Sequence, residues 1–294
     1  MLLGIKYVDD TTFEPQFENT RIYLAGLFAK LFMWFTGIPV PTPVETRKEL
    51  LRLQGQFAKN ISMEGYIDSI VGKKMTLAEF ETSLSSFILK ETNRVFELMT
   101  EDEEKIVFEH LQEIRTVLAG LTGGESRSIK TFITGLKNIK KVMTVLKNKS
   151  DAQKLLILIP HLTMIDNFSK MLVQTKKPMS EIEMKDFFDY TSKFFVILHN
   201  NELTFINRSP DDKNTENNRA FGIRPAYFCP GSVYVAKFVK SVIEFLKCMD
   251  IKIEGEATIS TKRFRTIENK NDVHVTFMKS NRVYDKINTL LESE

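Results

Sequence analysis

Glycine, cysteine and tryptophan are scarce in this chain, and neither sign of charge is in large excess. Thirteen glycines in 294 residues are few for a nucleotide-binding α/β fold, whose phosphate loops and tight turns need backbone without a Cβ. The composition leans to helices. Two cysteines, Cys229 and Cys248, cannot build a disulfide framework, so free thiols in a reducing compartment are expected. Forty-one basic against thirty-eight acidic residues leave a net charge of +3, which excludes a nucleic-acid coat acting through bulk charge. Local basic patches remain possible under that balance.

Catalytic signatures are missing as well. There is no GxGxxG, no GxxxxGK[ST] and no GxSxG run, so neither a phosphate cradle nor a nucleophile elbow is written locally. The four histidines, His110, His161, His199 and His274, are scattered, and the pair considered, His110 with the carboxylate Glu113 at helical spacing, is a single one. A zinc site needs three or four ligands. No metal, no cofactor and no enzymatic activity are therefore expected. Tyr7-Val8-Asp9-Asp10 spells a polymerase YxDD motif, but no room precedes it for the palm and the second metal-binding carboxylate, and the match reads as chance.

What the chain does have is phenylalanine, 23 residues against 7 tyrosines and 1 tryptophan, which points to cores or contacts made of rings without a polar handle. The most apolar run, Arg21 to Pro43, holds Trp34 and closes on Pro39, Pro41 and Pro43. A helix from about Asn19 to Phe35, capped by Asn19 or Thr20 and stopped by Gly37 and Pro39, fits the pattern. About fourteen helical residues give roughly 21 Å, short of the about 30 Å of a bilayer's hydrocarbon core. No membrane span is expected, and with Asp9, Asp10, Glu14 and Glu18 ahead of the run no secretory leader either. Phe28, Phe32, Trp34 and Phe35 are the candidate contact residues of this segment.

From Thr46 the chain reads as consecutive amphipathic helices. Capping boxes are expected at Thr46 and Glu49, Thr76 and Glu79, Thr100 and Glu103, and Ser180 and Glu183. Pro160 should kink or restart a helix. Residues between His199 and Gly231 are turn-rich and polar, and read as a long loop. A helix from about Ser232 to Met249 follows, and the alternation at Ile251, Ile253, Val273, Val275 and Phe277 predicts an antiparallel hairpin turned near Glu268 to Asp272. The fold class is mainly α, a multi-helix body with a small C-terminal β-hairpin. Three parts are expected: an arm, aromatic helix and proline connector over 1–45, a helical body over 46–200, and a loop, helix and hairpin over 201–294.

Two basic features stand out. Between Ser126 and Lys149 lie Arg127, Lys130, Lys137, Lys140, Lys141, Lys147 and Lys149 with no acid among them. On a helix, Ile129, Phe132, Leu136, Ile139 and Met143 line one side, and Lys130, Lys137 and Lys141 gather opposite. Such a stripe can track phosphates, sit at an anionic membrane, pair with the acidic helix before it, or be solvated. Lys262, Arg263 and Arg265 around Phe264 suit contact to single strands or protection of a sheet edge. Glu101 to Glu104 sit where a helix's first turn favours carboxylates.

Glu202 to Arg208 (ELTFINR), Asn218-Arg219-Ala220 and Ala226-Tyr227-Phe228 resemble short blocks of the nucleoproteins of segmented negative-strand plant viruses. In overall style, rich in Lys, Asn, Ile and Phe, with an acidic arm before an aromatic-proline segment, the chain looks more like virion structural or internal head proteins of large tailed phages. That resemblance implies a non-enzymatic assembly protein in a virion or host cytoplasm, touching itself or other particle proteins through its N-terminal arm. The alternative it leaves is a nucleoprotein that binds nucleic acid through Arg127, Lys130, Lys137, Lys140, Lys141, Lys262, Arg263 and Arg265.

Overall fold

The computed structural model describes residues 6–9, 34, 37, 43–123, 129–175, 178–183, 187, 194–199, 202–207, 232–259 and 267–279. Helix dominates. In chain order the helices are α1 (Val44–Asn60), α2 (Glu64–Ile70), α3 (Leu77–Phe96), α4 (Glu101–Gly123), α5 (Ile129–Val145), α6 (Asp151–Ile159), α7 (Ile165–Gln174) and α8 (Ser232–Lys247). A π-turn, Pro160–Met164, joins α6 to α7.

Local chemistry explains the helix starts, though not always at the expected residues. At α3 the Thr76 hydroxyl accepts from Glu79 N (3.1 Å) while the Glu79 carboxylate accepts from Thr76 N (2.7 Å), so two amides that the first turn leaves free are satisfied. Thr100 and Glu103 do the same for α4. The other two expected boxes do not form. Thr46 lies inside α1, which opens after Pro43 with no side-chain cap, because proline carries no side-chain oxygen to accept from the first-turn amides. Ser180 belongs to a 3-10 turn, Met179–Glu181, that follows Pro178. An unexpected box caps α6 instead, formed by Ser150 and Gln153.

Strands are more numerous than the sequence suggests. One sheet has the order β2-β6-β5, with β2 (Lys74–Thr76) and β5 (Met249–Glu254) both antiparallel to β6 (His274–Lys279). The expected antiparallel pairing is present, with Ile251 opposite Phe277 and Ile253 opposite Val275, and it gains an edge from the residues just before α3. The turn is not at Glu268 to Asp272, because Ile259 bridges Ile267 and Glu268 N donates to Thr258 O, which puts those residues on the returning arm. The second sheet, β1-β4-β3, joins β1 (Lys6–Asp9) in parallel to β4 (Glu202–Asn207), which is antiparallel to β3 (Phe194–His199). The long loop expected from His199 thus begins with a strand. Strands β3 and β4 are separated by two residues in sequence, the commonest loop length of a β-hairpin.

Two cores fill the space between these elements. The larger takes Leu50 and Phe57 from α1, Phe80 and Leu84 from α3, Leu156 from α6, Phe168 and Met171 from α7, Phe238 and Ile243 from α8, and Val275 and Phe277 from β6. Phenylalanine holds it together: Phe168 meets Phe187 at 4.7 Å and Phe238 at 6.3 Å, and Phe80 meets Phe277 at 5.4 Å, between ring centroids. These are tilted and edge-on arrangements, which suit ring quadrupoles. The smaller core lies between α4 and α5, with Val107, Leu111 and Ile114 against Leu136, Ile139, Val142 and Leu146. The two helices pack against each other along these residues.

Candidate functional site

Polar side chains from five elements converge where the π-turn passes behind α3 and α4. Helix α3 contributes Glu81 and Ser85, four residues apart and so on one face. Helix α4 contributes Gln112 and Arg115, the π-turn His161, helix α7 Asp166 and Lys170, and the turn before β6 Lys270. Gln112 Nε2 donates to Ser85 Oγ at 2.6 Å, and Ser85 Oγ lies 2.7 Å from His161 Nδ1. The serine oxygen thus accepts from Gln112 and lies within hydrogen-bond distance of the imidazole as well. Arg115 bonds Gln112 (3.0 Å) and Glu81 (2.7 Å). Lys270 bridges Glu81 (2.8 Å) and Asp166 (2.6 Å), and Lys170 closes on Asp166 at 2.7 Å.

Electrostatics fix the protonation states. Burial, aided by the Arg115 charge, pushes the His161 imidazole down to about 3, so it is neutral at physiological pH. Burial alone would raise the Asp166 carboxyl, but Lys170 and Lys270 outweigh it and hold the group below its ordinary value. For Lys270, burial opposes the charge, while Glu81 and Asp166 together raise it. A serine hydroxyl on an imidazole nitrogen is the arrangement of an activated nucleophile. Here Ser85 is 0% and His161 1% exposed, so this pair can order the π-turn and tie α3 to α4 but cannot meet a solvent-borne substrate.

The second constellation is on the surface. Helix α5 turns Leu136, Ile139, Val142 and Met143 into the smaller core and leaves Ile133, Lys137, Lys140, Lys141 and Thr144 exposed, with Lys147 exposed in the turn just past its end. Among the described residues none of these four lysines makes an ion pair. The acidic helix beside them does not neutralise them, because its own exposed residues, Asp102, Ile106, Glu109 and Glu113, form a separate row. Glu113 leans instead to His110, 3.5 Å away.

Of the residues the sequence singled out, Lys137, Lys140 and Lys141 therefore share one exposed face. Lys130 belongs to the same helix. Arg127, Lys262, Arg263 and Arg265 lie outside the described residues, as do Phe28, Phe32 and Phe35 and the rest of the expected Asn19 to Phe35 helix apart from Trp34, which is helical and 75% exposed. Cys248 is a free, exposed thiol, and Cys229 lies outside the described residues. Sequence reasoning missed the buried centre altogether, because Ser85 and His161 are 76 residues apart and Glu81 and Lys270 are 189 apart. Among the described residues no group of His, Cys, Asp and Glu could hold a metal ion, and no helix is long and apolar enough to cross a membrane.

No protein-family model matches the sequence, and no curated protein matches it. Among solved structures, the chain is similar to P450BioI in complex with a hexadec-9Z-enoic acid-ligated acyl carrier protein, at 14% identity and a TM-score of 0.42, over 89% of this chain and 81% of that one. It is also similar to a mutant of cytochrome P450SP alpha, at 11% identity and a TM-score of 0.41, over 94% of this chain and 83% of that one. Neither of these is a virion component, and with no family model or curated protein matching, the resemblance to phage virion components is withdrawn together with the non-enzymatic assembly role, the nucleoprotein alternative and the virion setting drawn from it. At such identities and TM-scores the likeness assigns no P450 activity to this chain.

Proposed function

We propose that the exposed face of α5 is a docking surface for an acidic protein partner. The observation that carries this reading is the row of Lys137, Lys140 and Lys141, continued by Lys147 in the turn that follows, solvent-facing and free of ion pairs among the described residues, on a helix whose opposite face is locked into the smaller core. A lysine row left unneutralised on a rigid helix supplies electrostatic steering and register to an incoming surface. Exposed Ile133 at one end of the row adds an apolar contact, which suits a protein surface with its own apolar residues.

Poly-L-glutamate binding tests the reading. Wild-type protein should bind it in low salt, and the triple variant Lys137→Glu, Lys140→Glu, Lys147→Glu should bind at least about tenfold more weakly. Equal binding by the two proteins would rule the surface out.

A further inference from the structure

The acidic counterpart of the lysine row is present on the same molecule. On α4, Asp102, Ile106, Glu109 and Glu113 are all exposed, at successive spacings of four, three and four residues, which sets them in one line along a helix face. On α5, Ile133, Lys137, Lys140 and Thr144 repeat the same four, three, four spacing and Lys147 extends it. Each row carries one exposed isoleucine, Ile106 at 41% and Ile133 at 45%. With Ile106 set opposite Ile133 of a second copy and the two helices parallel, Glu113 falls level with Lys140 and Glu109 one residue short of Lys137, while Asp102 and Lys147 flank this stretch at its two ends. Lys105, on the flank of the acidic row, lies outside this line of pairs.

The two rows cannot satisfy each other within one molecule. Helices α4 and α5 already face one another through Val107, Leu111, Ile114, Leu136, Ile139 and Val142, so the exposed rows point away from their shared core. We infer that the acidic surface taken by the α5 lysine face is the α4 face of a second copy of this chain, so that the protein self-associates through matched acidic and basic helices. This rests on the lysine-face reading above and names its partner. Exposed charge pairs act mainly on register and encounter, with the two isoleucines supplying the apolar centre, so the association is weak and strongly salt-dependent.

Sedimentation equilibrium of the full chain with two charge-reversal variants tests it. One variant carries Lys137→Glu, Lys140→Glu and Lys147→Glu, and the other Asp102→Lys, Glu109→Lys and Glu113→Lys; all six positions are exposed, and far-UV circular dichroism checks that each variant folds. Wild-type protein should self-associate at about 0.05 M salt and lose most of that association at about 0.5 M. Each variant alone should be monomeric, and an equimolar mixture of the two should associate again, because each restores the charge its partner lost. A wild-type protein that captures poly-L-glutamate yet stays monomeric overturns the self-association and leaves the lysine-face reading standing. One that does neither overturns both. Association that survives either charge reversal alone also overturns the α4-to-α5 contact.

Discussion

At the scale of single residues, His161 is the position whose chemistry departs furthest from its free value. Its folded-state affinity for a proton is depressed to about 3 by burial and the Arg115 charge, while an unfolded chain would protonate it near pH 6.5. Between these values the unfolded state binds one more proton than the folded state, so stability contributed here is full above about pH 6.5 and is lost as pH falls toward 3. Urea unfolding measured across this window should show stability falling by up to about 1.4 kcal/mol per pH unit from this group. His161→Asn should flatten that slope, and an unchanged slope in the variant would place its origin elsewhere. Asp166, held low by Lys170 and Lys270 once their charges outweigh burial, adds a further loss of the same sign below the ordinary carboxylate range. None of this was legible in the sequence, where His161 is an isolated histidine with no ligand-type neighbour at helical spacing.

At the scale of elements, the sequence was most legible where the signal is completed within one turn of chain. Thr76 with Glu79 and Thr100 with Glu103 cap their helices as their spacing implies, since both partners of the hydrogen bonds are three residues apart. Thr46 fails because Pro43 opens the helix earlier, a choice made by a neighbour outside the four-residue motif. Pro160 neither breaks nor merely kinks its helix. The chain widens into a π-turn, a local irregularity often found at functional sites, and so brings His161 to Ser85. The hairpin shows a different limit. Gly255 follows β5 with φ +95, and a Cβ there would lie 2.6 Å from the Asp272 carbonyl oxygen. Gly255→Ala should therefore destabilise the protein by about 1–3 kcal/mol through strain in that region of φ, a loss that thermal or urea unfolding would register; a neutral result would mean the turn relaxes freely. The alternation of Ile251, Ile253, Val275 and Phe277 gave the pairing, but the third strand, Lys74–Thr76, is too short to be read from its own residues.

At the scale of the whole molecule, the two cores are linked rather than separate. Helix α3 sends Ile88 to the larger and Leu89 to the smaller, and α6 likewise divides Leu156 from Ile157 and Leu158. Both helices therefore couple the α4 and α5 pair to the body. Leu111→Ala, at a fully buried position of the smaller core, should lower global stability by about 2–5 kcal/mol and shift a single cooperative transition followed by far-UV circular dichroism and near-ultraviolet absorbance together. A separate early transition confined to part of the signal would instead make the α4 and α5 pair an independent unit. The same arrangement decides what is displayed: by filling the inner faces of α4 and α5 with aliphatic residues, the fold leaves their charged rows for other molecules.

By itself the sequence determined the helical character, several helix starts, the amphipathic faces of α3 and α5 and the C-terminal hairpin. Each depends on spacing along the chain, through periods of 3.6 or 2 residues and hydrogen bonds that close within a turn. Only the tertiary structure decided which charges are buried together and which stay in water. Glu81, Ser85, His161, Asp166 and Lys270 carry no local mark, because the energy that selects them is the cost of leaving a buried polar group without a partner, and those partners come from distant parts of the chain. Likewise, the lysines of α5 and the carboxylates of α4 could have neutralised one another until packing turned both rows outward.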